Sequence, residues 1–144
     1  MERVLEPELM DNDEQALAYA KADYPQPWFD ENGGIYPVYH AIKGLAHLRG
    51  TPLVEIQIST PDQLQAIATK HDGGIELWVA NLTDQTKSVQ LTPKPTGNVS
   101  ILSAAEFEGA TKDLAVMESL ERKLGDEHLV LPPYAVARLK LATE

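Results

Sequence analysis

The chain has 144 residues, 43% of them apolar, which suits one domain with a packed core and argues against wholesale disorder. A formal net charge of −10, with no Lys/Arg cluster, makes nucleic acid and anionic lipid poor partners, and the acidity reads as a solubility feature. Cysteine is absent, which removes disulfides, thiolate nucleophiles and cysteine metal sites together. No run of about 18 apolar residues is present to span a membrane. Met1-Glu-Arg-Val-Leu-Glu-Pro-Glu lacks the basic start and apolar stretch of a signal peptide, so the expected location is cytoplasmic.

Residues 14–23 are acidic and Ala-rich, good helix formers without a broad apolar stripe, and Pro25-Gln-Pro27 ends them. A second helix is expected over 36–49. Ile35, Val38, Tyr39, Ile42, Leu45 and Leu48 recur at helical spacing, Pro37 suits the first turn, and Gly50 with Pro52 supplies the stop. This helix is amphipathic and must lie on something.

From residue 53 the period changes to two. Leu53–Ile58 alternates apolar and polar residues, and Leu64–Lys70 and Ile75–Leu82 flank the hairpin signal His71-Asp-Gly-Gly74. Thr60-Pro-Asp-Gln63 resembles a capping box, so a short helix over 61–68 competes with the strand, which the following hairpin turn favours. Asn81-Leu-Thr-Asp-Gln85 is the next turn, with strands at Ser88–Thr92 and Val99–Leu102. In the acidic stretch 103–127, Leu114, Met117, Leu120 and Leu124 are spaced for one short helix. His128–Leu131 and Tyr134–Leu141 form a terminal strand broken by Pro132-Pro133. The expected fold is mainly β: an antiparallel sandwich preceded by one amphipathic helix and an N-terminal helical tail. The expected divisions are 1–27 for the tail and Pro linker, 28–50 for the helix and 51–144 for the sandwich.

No nucleophile elbow, phosphate loop, dinucleotide fingerprint or zincin motif occurs, so no catalytic residue, cofactor or metal ligand is assigned. His40 and His47 are two helical turns apart, roughly 10 Å of rise, too far to chelate one ion unaided. His71 lies beside a turn and His128 precedes a strand, neither with a charged partner in view. The two Asn-x-Ser/Thr triplets, at Asn81 and Asn98, read as chance or turn chemistry rather than glycan acceptors. A carboxylate pair within 106–127 reads as a solvated face before it reads as a glycosidase dyad. Trp28, Tyr36 and Trp78 are the candidate sugar-stacking residues, with Tyr39 and Tyr134 as further members of such a platform; for Trp78, core packing is the competing reading.

Three segments carry a family resemblance: Ile35-Tyr-Pro-Val-Tyr-His-Ala-Ile-Lys-Gly-Leu-Ala-His-Leu-Arg-Gly50, Leu77-Trp-Val-Ala-Asn-Leu-Thr83 and Leu131-Pro-Pro-Tyr-Ala-Val-Ala-Arg-Leu139. In order and spacing they resemble the C-terminal end of D-apionate lactonase-like proteins. More loosely they resemble the ends of glycoside hydrolases built as a (β/α)₈ barrel followed by a β-sandwich. The resemblance implies that 36–49 corresponds to the last barrel helix and 53–141 to the sandwich against it, with the reactive groups on a barrel that this chain lacks. Residues 3–23 resemble the leading tail of class I S-adenosylmethionine-dependent methyltransferases, without the glycine-rich cofactor loop that should follow.

The first functional expectation is a non-catalytic accessory sandwich of a carbohydrate-active or lactone-hydrolysing enzyme. Its partner is a barrel domain, or a second copy met through the 36–49 helix. The alternatives are a carbohydrate-binding module using exposed aromatics, a small hydrolase, and a remnant methyltransferase.

Overall fold

The computed structural model describes residues 34–125 and 128–143. The expected 14–23 helix, Trp28 and the methyltransferase-like tail lie outside the described residues.

Helix α1 runs Val38–His47. Pro37 leads into it at φ −56°, close to the value its ring imposes, and Gly50 ends the turn that follows at φ +83°, where a side chain would be strained. Beyond it, β1 (Leu64–His71) and β2 (Gly74–Asn81) form a hairpin in which His71 faces Gly74 across Asp72-Gly73. The strand reading of 64–70 therefore holds over the competing helix. Next come β3 (Lys87–Gln90) and β4 (Gly97–Leu102). The stretch 103–127, read as one short helix, instead forms a 3₁₀ turn at Ala104–Glu106, then α2 (Phe107–Lys112), α3 (Val116–Ser119) and the two-residue β5 (Arg122–Lys123). The break has a local cause. Asp113 takes an extended backbone, its carboxylate accepts from the Ala115 N–H and the Ser119 hydroxyl, and the helical path restarts from there. Strands β6 (His128–Leu131) and β7 (Val136–Leu141) follow.

The strands make two antiparallel sheets, one of five in the order β1-β2-β7-β4-β5 and one of two, β3-β6. The terminal strand expected to be merely broken thus changes sheets at Pro132-Pro133, since β6 pairs with β3 while β7 lies between β2 and β4. Leu53–Ile58, expected as a strand, makes one bridge, Leu53 to Thr69, and then leaves the ladder. Its alternation survives as packing, with Val54 and Ile56 resting on the core.

Side-chain alternation along the central strands builds two cores. Leu77, Val79, Val99, Ala137 and Leu139 face β6, where Leu129 and Leu131 complete the space between the sheets. Trp78, Leu102 and Val136 face the other way, against Ala110, Val116 and Met117 of the helical segment and Ala41 and Leu48 of α1. Two-sided burial explains why β2 reads as a nearly continuous apolar run.

Helix α1 does lie on the sheet, but not by its large apolar residues. Ala41, Gly44 and Leu48 face Trp78, and His40 is 3% exposed. Val38, Ile42 and Leu45 point outward at 53%, 43% and 41% exposure.

Candidate functional site

The most polar cleft among the described residues lies where α1 crosses the sheet, with a volume of about 150 Å³. It is lined by His40, Lys43 and His47 of α1, Glu76 of β2, Glu118 of α3 and Arg138 of β7. Arg138 sits mid-strand on the helix-covered face, its guanidinium 6.0 Å from the centre of the Trp78 ring. Its Nη1 donates to Glu118 Oε1 at 3.0 Å, and its Nη2 lies 3.7 Å from Glu121 Oε2. That oxygen is 2.6 Å from Lys140 Nζ. The Trp78 indole N–H donates to Glu76 Oε1 at 2.7 Å. On the helix side, His40 Nε2 is 2.7 Å from the Ala110 carbonyl and His47 Nδ1 is 2.8 Å from the Lys43 carbonyl, so each of those nitrogens carries the proton. Lys43 Nζ donates to the Leu114 carbonyl at 3.2 Å.

The electrostatics follow these bonds. Burial pushes the Glu118 carboxyl up, but the hydrogen bond from Arg138, its own backbone N–H and the charges of Arg138 and Lys43 together bring it below the usual glutamate value. The Lys140 hydrogen bond holds Glu121 below that value, against a smaller upward push from burial. Each carboxylate named here accepts from a structural donor, and no hydroxyl among the cleft residues stands beside a free base. The cleft fastens α1 and α3 to the sheet; it has no means of activating a nucleophile. Two donors of Arg138, Nε and Nη2, are buried without a hydrogen-bond partner. No group of three His, Cys, Asp or Glu among the described residues is placed to hold a metal ion.

The stacking candidates are dispersed. Trp78 is 3% exposed, its ring edge closed by Gly44. Tyr36 lies exposed just ahead of α1, with Tyr39 in its first turn, ring edge-on to His40. Tyr134 is exposed at the turn between β6 and β7, its N–H donating to the Thr83 carbonyl. Trp28 lies outside the described residues. His71 and His128 are both exposed. Asn81 is 2% exposed, and its amide donates to the carbonyls of Gln85, Leu131 and Pro132 while its oxygen accepts from Thr83. It serves as turn chemistry, as the sequence suggests.

The network centred on Arg138 is absent from the sequence reading. Its signal is an arginine inside an apolar strand, Val136–Leu141, with a lysine two positions on and glutamates three apart at 118 and 121.

With the sandwich and its covering helices in view, the comparison with known proteins decides the family. The model of the D-apionate lactonase C-terminal immunoglobulin-like domain matches residues 61–139. This chain belongs to that family. A D-apionate lactonase of Brucella anthropi is 31% identical over 90 residues, which cover 62% of this chain and 12% of that protein. The chain thus corresponds to about an eighth of that relative's length. The D-apionate lactonase-type domain matched here takes in every strand from β1 to β6 and most of β7, while α1 stands ahead of it. No helix among the described residues is long and apolar enough to cross a membrane.

Proposed function

We propose that this chain is the non-catalytic accessory sandwich of a lactone-hydrolysing enzyme. One observation carries the reading: in the most polar cleft of a lactonase-family domain, the carboxylates are engaged by Arg138, Lys140 and Trp78. They hold the covering helices to the sheet and leave no acid–base pair facing an open site. The domain's contribution to an enzyme is then mechanical, supplying a rigid body against which a hydrolytic portion packs.

The test is direct. The purified chain is assayed against aldonolactones and aryl glycosides, with lactone loss followed by base uptake. The expected rate equals that of buffer alone. Turnover above buffer that Glu118→Gln abolishes would overturn the reading. Saturable heat on titrating sugars or aldonates into the chain would favour a carbohydrate-binding module instead.

A further inference from the structure

The outer face of α1 is built the wrong way round for a helix that ends at solvent. Its inward side is made of Ala41, Gly44 and Leu48 with the bonded His40, while Val38, Ile42 and Leu45 are turned out. Tyr39, Ile42, Lys43, Ala46 and His47 line a shallow groove of about 250 Å³ on this helix. An amphipathic helix normally buries its large apolar residues and exposes its small and polar ones. Small residues on the sheet side and branched ones outside suit a helix enclosed between two bodies.

We infer that the outer face of α1 is the docking surface for the upstream, hydrolytic portion of a lactonase of this family. The inference rests on the accessory-domain reading. Two observations favour this occupant. First, the family match starts at residue 61 and α1 precedes it, whereas the matched 90 residues are 12% of the relative. The matched domain is by description C-terminal, so the remainder of such an enzyme leads into it from the side of α1. Second, residues 34–54 contain Lys43, Arg49 and two histidines but no aspartate or glutamate, in a chain of net charge −10. A second copy docked about a two-fold axis would set Lys43 and Arg49 against their own counterparts, without a carboxylate from this segment between them. The surface that fits is apolar at its centre with carboxylates at its rim.

The experiment uses Ile42→Asp with Leu45→Asp in two settings. In the full chain alone, sedimentation should show a monomer. The double variant should unfold within about 4 °C of the parent, because the changes fall on exposed positions. A dimer of the parent that the variant dissolves would assign the face to a second copy and overturn the proposal. In the second setting, this chain from residue 34 onward replaces the matched 90 residues of the Brucella anthropi lactonase. Calorimetry should then show one coupled transition, lowered by about 5 °C or more and split by the same pair of substitutions. Two independent transitions in the unsubstituted chimera, or no effect of the pair, would overturn the docking surface. Lactone hydrolysis by the chimera is read separately. An active chimera indifferent to the pair leaves the accessory-domain reading standing while removing the face assigned here.

Discussion

Gly44 of α1 sits on the outer edge of the Trp78 indole, and a Cβ built there would fall inside the ring's contact distance. The absence of one methyl group sets how closely the helix approaches the sheet. Elsewhere in an exposed helix, glycine to alanine is stabilising by about 1 kcal/mol. Here Gly44→Ala is expected to destabilise by about 1–3 kcal/mol, the usual cost of overpacking, with indole fluorescence reporting the displaced ring. A variant as stable as the parent in urea would refute the contact.

Asn81→Ala should cost about 2–3 kcal/mol. The side chain holds the turn after β2 to the turn between the two sheets, and its loss strands the buried Leu131 carbonyl. Equilibrium denaturation at constant m-value is the check, and Asn98→Ala, on an exposed strand position, is the matched control with a change below about 0.5 kcal/mol.

Acid should unpick the carboxylate network in a defined window. Glu121, whose ordinary value is 4.5, is held lower by the Lys140 hydrogen bond, with burial opposing and the Lys140 charge, Asn98 and Arg138 adding to the depression. A carboxyl depressed by folding stabilises the native state above its unfolded value, and that contribution is lost as pH falls through the folded one. Glu121→Gln should therefore be less stable than the parent at pH 7 by up to about 1 kcal/mol, the pair with Lys140 being partly exposed. The two curves should converge as the pH drops below 4.5. A gap that persists unchanged into strong acid would show that the charge is not responsible.

The two faces of β6 should respond oppositely. Leu131 is fully buried between the sheets whereas Val130 is exposed. Leu131→Ala is expected to cost about 2–5 kcal/mol and Val130→Ala under about 0.5 kcal/mol, measured by chemical denaturation. Similar losses at both positions would contradict the packing of the smaller sheet.

Much of this architecture is legible in the sequence because it rests on local signals. Asp72-Gly73 marks the hairpin, the period-two runs mark β1, β2 and β4, and Pro37 and Gly50 bracket α1. What escapes is set by tertiary contact. Leu53–Ile58 has the alternation of a strand, yet alternation reports only which side chains are covered, and after one bridge it has no ladder partner. The same limit applies to α1, whose periodicity shows a two-sided helix without saying which side meets the sheet. Trp78 settles that: its buried ring requires Gly44 beneath the helix and so turns Ile42 and Leu45 outward. The Arg138 network needs β7 and α3 in register, which no local pattern encodes.

The switch of sheets at Pro132-Pro133 bears on the order of synthesis. Strand β7 pairs with β2 on one side and β4 on the other, though both are made before it. Until residues 136–141 leave the ribosome, β2 has only its hairpin partner β1, and β4 has only the two-residue β5. Both carry a bare edge through that interval, when unpaired strands invite pairing with other chains. Folding of the nascent sandwich is therefore gated by its final described strand, and a ribosome paused before residue 136 would hold the domain in its most aggregation-exposed form.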